Sequence, residues 1–144
     1  MRFNIRPHGR KEYVTVMIFP TKAKMYAFRK KFAKVTGEEV GHMDFLGLFT
    51  GYERIVFSNG KIKLFNGEEK RMNDIGKVLL CSGYCHADIV SHELLHAAMH
   101  YERLIHGNKI ARFGTNIGVK EERLAHTLSD LLRGFYSKVK VTER

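Results

Sequence analysis

Ala87-Asp88-Ile89-Val90-Ser91-His92-Glu93-Leu94-Leu95-His96-Ala97-Ala98-Met99-His100 decides how this chain is read. Its apolar residues recur every three to four positions, which predicts a helix from about Ala87 to Ile105, stopped by Gly107. At roughly 100° per residue, Val90, Leu94, Ala97, Ala98, Tyr101 and Ile105 share one side and form a candidate core. Ile89, His92, Glu93, His96, His100 and Arg103 share the other. A helix whose polar side is made of imidazoles and a carboxylate is an unusual way to face water.

Within it, His92-Glu93-Leu94-Leu95-His96 has the form H-E-x-x-H. Side chains four apart on a helix lie one above the other. The two imidazoles can therefore converge on one metal ion while Glu93 projects beside it. That arrangement fits a catalytic Zn²⁺: two His ligands, an open position for water, and a carboxylate to take the proton of that water. His92 and His96 are the expected ligands and Glu93 the expected general base.

Around this helix the chain reads as α+β. Lys11–Phe19 is rich in β-branched and aromatic residues and predicts a strand, ended by Pro20. Thr21 is placed to cap a helix through about Val35, with Met25, Phe28, Phe32 and Val35 as its apolar stripe. Phe45–Thr50 predicts a short strand. Glu53–Ser58 and Lys61–Phe65 flank Asn59-Gly60, a strong hairpin signal because both residues tolerate positive φ. Residues 66–76 read as a polar loop and Lys77–Cys81 as a short apolar strand. After Gly107 a loop of about a dozen residues leads to a last helix over about Val119–Tyr136. The expected architecture is one domain, residues 1–144: a small, mostly antiparallel sheet with one N-terminal and two C-terminal helices packed on one face.

Composition narrows the class further. At 144 residues, 44% of them hydrophobic, the chain can bury a real core without staples. Its apolar runs are short and interrupted by charge, which argues against a membrane span. The start, Met1-Arg2-Phe3-Asn4-Ile5-Arg6, does not resemble a secretory signal. Cys81 and Cys85 are too few for a disulfide framework and read as free thiols in a reducing cytoplasm, Cys81 ending a buried strand and Cys85 in the following loop. An alternative places Cys85 at the mouth of the site. Net charge is +10. Residues 1–40 carry ten basic and three acidic side chains, with Lys22, Lys24, Arg29, Lys30, Lys31 and Lys34 on the first helix. Such a field suits an anionic partner, nucleic acid or an acidic protein surface.

Zinc catalysis normally uses three protein ligands. A third His six residues after His96, behind a turn glycine, is ruled out because those positions hold Glu102 and Met99. The last helix offers Glu121 and Glu122. Glu121 lies along the stripe Leu124, Leu128, Leu132, Phe135, whereas Glu122 shares its side with the small residues Ala125 and Ser129, which would let this helix approach the His92 helix. Glu122 is the preferred third ligand, with Glu121 and His106 as alternatives. His100 and His126 are candidates for substrate contact or solvent exposure, and Asp130 for orienting a ligand imidazole.

His92–His96 followed by Glu122-Arg123-Leu124-Ala125-His126-Thr127-Leu128-Ser129 resembles the minimal gluzincin arrangement of ImmA/IrrE-type metallopeptidases, which phages and mobile elements often encode. The resemblance covers about residues 77–136. It implies His92 and His96 as ligands, Glu93 as base and Glu122 as third ligand. The family's H-E-x-G-H glycine is Leu95 here, and no DNA-binding helix-turn-helix accompanies the site. A second similarity is to SprT-like proteases of DNA-bound proteins, whose third ligand is a downstream His; that would point to His106. The function these features imply is zinc-dependent cleavage of a specific protein target. The competing function is a basic nucleic-acid- or protein-binding module with a non-catalytic metal site.

Overall fold

The computed structural model describes residues 1–36, 45–51, 54–56, 62–64, 73–106 and 117–140; for 34–36, 54–56, 62–64, 106 and 117–120 the description is of the backbone. The order is β1 (Arg2–Ile5), β2 (Tyr13–Phe19), α1 (Lys22–Thr36), β3 (Gly47–Gly51), β4 (Arg54–Val56), β5 (Ile62–Leu64), β6 (Asp74–Cys81), α2 (Ala87–His106) and α3 (Ile117–Tyr136). The four-stranded sheet runs β1-β2-β6-β3. Its β1–β2 and β6–β3 pairs are antiparallel and its central β2–β6 pair is parallel. The expected α+β class holds.

Both central strands are apolar at consecutive positions, and this determines the layering. In β2, Val14 and Val16 face one side and Met17 and Phe19 the other; in β6, Val78 and Leu80 oppose Leu79 and Cys81. A strand with no polar face is covered on both sides. Accordingly α2 and α3 pack on one face, against Ile5, Val14, Val78 and Leu80. The other face holds Met25 of α1 over Leu79 and Cys81, with Phe28 and Leu48 at its margin. The expectation of helices on a single face is therefore corrected: α1 lies opposite α2 and α3, and the domain has three layers.

Helix limits lie within two residues of the expected ones. The Thr21 hydroxyl accepts the Lys24 amide (3.3 Å), as an N-cap should. Three differences stand out. β1 was not expected; its Phe3 and Ile5 pair with Val16 and Val14 and seat α3, where a Cβ on Gly134 would come within 2.5 Å of Ile5. β6 starts at Asp74, three residues before the expected strand, with Ile75 and Gly76 buried rather than in a loop. In α3 the small residues Ala125 and Ser129 face solvent, and Thr127, Leu131 and Phe135 are the buried side. β4 and β5 pair antiparallel with Val56 opposite Ile62, as a hairpin about Asn59-Gly60 requires. That turn, and the loop after Gly107, lie outside the described residues. No described helix is long and apolar enough to cross a membrane.

Gly76 tests the tight β6–β3 seam. A Cβ there would sit 2.5 Å from the Thr50 carbonyl oxygen and 2.9 Å from the Gly51 Cα. Backbone cannot rotate aside as a side chain can, so Gly76→Ala should destabilise the fold by about 2 kcal/mol. Urea unfolding measures this; an unchanged midpoint would show that the seam is looser than described.

Candidate active site

α2 brings the motif to the edge of the sheet. β3 is the last strand of the described sheet, and α2 runs beside it in the same direction: Gly47 lies against Ile89 and Glu93, and Gly51 against His100. Gly47, Phe49 and Gly51 share the α2-facing side of the strand. A Cβ on Gly47 would approach Ile89 Cγ2 to 2.9 Å and Glu93 Cγ to 3.1 Å; one on Gly51 would approach His100 Nε2 to 2.5 Å. Two glycines, one pleat repeat on either side of Phe49, let helix and strand come this close.

The close approach puts the Phe49 amide against the Glu93 carboxylate. The amide donates to Oε2 at 2.7 Å. Glu93 is buried although it belongs to the polar side of the helix. Burial pushes its carboxyl above the ordinary carboxylate range; the Phe49 N–H and the nearby His92 and His96 pull it part of the way back. Its other oxygen, Oε1, lies 4.0 Å from His92 Nε2.

His92 and His96 converge as the spacing predicts. Their Nε2 atoms are 3.1 Å apart and their rings meet edge to face, centroids 4.7 Å apart. Two imidazole nitrogens on one tetrahedral zinc, each at about 2.05 Å, would lie about 3.3 Å apart. The pair therefore fits two ligand positions on one ion. Both imidazoles are exposed, so a third group and a substrate can reach them.

The remaining candidates divide. Glu122 and Glu121 are exposed on α3, and Glu122 Oε1 pairs with His126 Nε2 at 3.3 Å. Among the described residues, no group of three His, Cys, Asp or Glu is placed to hold a metal. The helix register explains why Glu122 stands apart. The Thr127 hydroxyl donates to Glu102 Oε1 (2.6 Å), and Arg123 Nε lies 3.7 Å from Glu102 Oε2. Those contacts align α3 with the C-terminal half of α2, six residues past His96, and turn Glu122 to solvent. Glu102 itself is buried on a different side of the unbroken helix from Glu93. Asp130 serves another histidine: it accepts the His8 amide (2.7 Å), and His8 Nε2 donates to the Thr127 hydroxyl (2.8 Å). Sequence reasoning passed over His8, although Pro7-His8-Gly9 is a turn signal, and His8 and Gly9 adopt positive φ there. Cys85 is buried and lines a separate hollow with Met1 and Val139, away from the motif. The side chain of His106 lies outside the described residues.

His100, a candidate for substrate contact or solvent, is half-buried beside the motif. With His92, Glu93 and His96 it lines a groove of about 660 Å³. Leu48 to Gly51 form the strand wall, and Arg29, Met99 and Arg103 contribute from the two helices. His100 packs against Phe49 (5.6 Å between ring centroids), and Arg103 Nη2 donates to its Nδ1 at 2.8 Å. The i, i+4, i+8 spacing of His92, His96 and His100 carried that signal. Comparison with family models, curated proteins and solved structures finds no match for this chain.

Gly51→Ala should drive the His100 ring out of the groove, because its Cβ would overlap three ring atoms. The ¹⁵N and ¹H shifts of His100 would report this; parental shifts would mean that the strand, not the ring, yields.

Proposed function

We propose that this protein is a zinc-dependent endopeptidase acting on a specific protein target. The observation that carries the reading is the convergence of His92 and His96 beside a buried Glu93 whose far oxygen is held by the Phe49 amide. His92 and His96 would hold the metal. Zinc would supply a water of lowered pKa and a Lewis acid for the scissile carbonyl. Glu93 takes the proton of the attacking water and delivers it to the leaving amine. Oε1 is the oxygen placed for this, since Oε2 is engaged by the strand. Burial, which raises its carboxyl, makes Glu93 a stronger acceptor for the proton of that water. An extended peptide can lie in the groove along β3, adding to the sheet edge as peptides commonly do.

A domain of 144 residues is small for a deep specificity cleft of its own, which suits a narrow target, and the free thiols Cys81 and Cys85 support a cytoplasmic setting. A third ligand completes the usual set. The sequence favours Glu122 for this position, but its pairing with His126 on the exposed face of α3 holds it apart from the two imidazoles, so the proposal rests on His92 and His96 and leaves the third position open. A second reading, a nucleic-acid-binding module, draws on the exposed Lys24, Lys30 and Lys31 of α1. Salt-dependent DNA binding that survives chelation, without proteolysis, would favour it.

Purified protein should carry about one zinc per chain, lost in His96→Ala. Glu93→Gln should keep the metal and lower turnover at least about 100-fold; parental turnover would remove Glu93 as the base. The placement of Glu122 on the exposed face predicts that Glu122→Ala keeps its zinc. Metal loss in that variant alone would show that α3 shifts to deliver its carboxylate.

A further inference from the structure

Two amides fix the register of the outward edge of β3. In an antiparallel pair, residues alternate between those that hydrogen-bond across the seam and those whose N–H and C=O point away from it. The Phe49 amide donates to Glu93, so Phe49 belongs to the outward set, with Gly47 and Gly51 two residues to either side. Opposite Gly51, the Gly76 amide donates to Asp74 Oδ1 (3.1 Å) and not across the seam, in keeping with that register. β3 is the last strand of the described sheet. Its outward groups form a short ladder beside the motif that a further strand can take up.

One rung of that ladder is already filled. Glu93 Oε2 stands 2.7 Å from the Phe49 nitrogen, where the carbonyl oxygen of an added strand would stand. A strand that pairs with Phe49 has to displace it. Oε1 of the same carboxylate lies 4.0 Å from His92 Nε2. Glu93 is thus strung between the strand and the imidazole pair, one oxygen toward each. With Oε2 tied, Oε1 can reach a water, but the carboxylate cannot swing from that water to a leaving amine.

We infer that the Phe49–Glu93 hydrogen bond is a latch, which holds the general base to the sheet edge in the free protein and opens when an extended peptide pairs with Gly47–Gly51. The inference rests on the peptidase reading and adds the regulation of that site. Exchanging a charge-assisted bond for a neutral one is unfavourable by itself. The flanking rungs at Gly47 and Gly51 offset it, and only a peptide extended along the five residues of β3 fills them. Folded segments and short peptides leave the base tied. The substrate class is therefore an unfolded stretch of chain with free N–H groups at alternate residues, which excludes proline there.

The test uses the zinc-loaded full chain and a fluorescent, end-blocked decapeptide of alternating serine and valine. Its binding to Glu93→Ala, which leaves the Phe49 amide unclaimed, is compared by anisotropy with its binding to Glu93→Gln, which keeps an acceptor for that amide. Glu93→Ala should bind about fivefold tighter. N-methylation of the peptide, residue by residue, should weaken binding at every second position. In Glu93→Gln, saturating peptide should shift the Phe49 amide resonance and leave it protected from hydrogen exchange, since one acceptor replaces another; this readout stands even if Glu93→Ala fails to fold. Equal affinities with an unmoved Phe49 resonance, or no binding to either variant, would overturn the latch. Cleavage of a pool of random decapeptides by the parent in that case would leave the peptidase standing. Tighter binding by Glu93→Ala with the alternating pattern, but no cleavage of the pool by the parent, would keep the exchange at Phe49 and remove the peptidase.

Discussion

The hydrogen bond from the Phe49 amide to Glu93 is the constraint on which the site depends. At 2.7 Å it ties the edge strand to the second turn of α2. A carboxylate is normally costly to bury, and a charge-assisted bond to a backbone N–H offsets much of that cost. The bond forms only because Gly47 and Gly51 let the strand lie against the helix. Once it is made, one Glu93 oxygen is fixed, His92 and His96 project over the groove, and His100 is trapped between Phe49 and the strand end. The motif supplies the side chains, but the glycines of β3 supply their position.

The second polar centre of the molecule is structural. Thr127, Glu102, Arg123 and His8 join α3 to α2 and to the turn after β1. A buried glutamate there is satisfied by a hydroxyl and a nearby guanidinium, so its burial is supported rather than left uncompensated. This centre sets the register of α3. It therefore decides which face of that helix meets α2, and it turns Glu122 and His126 toward each other in solvent.

Much of this was legible in the sequence. α2 was readable from end to end because period and glycine stop agree, and the core residues Val90, Leu94, Ala97, Ala98 and Tyr101 are all fully buried. The convergence of His92 and His96 follows from spacing alone. What was not legible is set by tertiary contact. The consecutive apolar residues of β2 and β6 do announce two covered faces, and reading helices onto one face overlooked that. The burial of Thr127 depends on Glu102, twenty-five residues away, so small Ala125 and Ser129 wrongly stood for the packing face. Glu93 reads as an exposed helix residue until β3 is placed beside it. β1 is only four residues long and begins at Arg2, which leaves little pattern to read.

The proposed metal site is two imidazoles sharing one divalent ion at the edge of the sheet. Zinc K-edge absorption of the metal-loaded protein tests this directly. Such a site should give a nitrogen and oxygen shell at about 2.0–2.1 Å with outer scattering from two imidazole rings, reduced to one ring in His92→Ala. A spectrum without imidazole scattering, or one unchanged by that substitution, would contradict it.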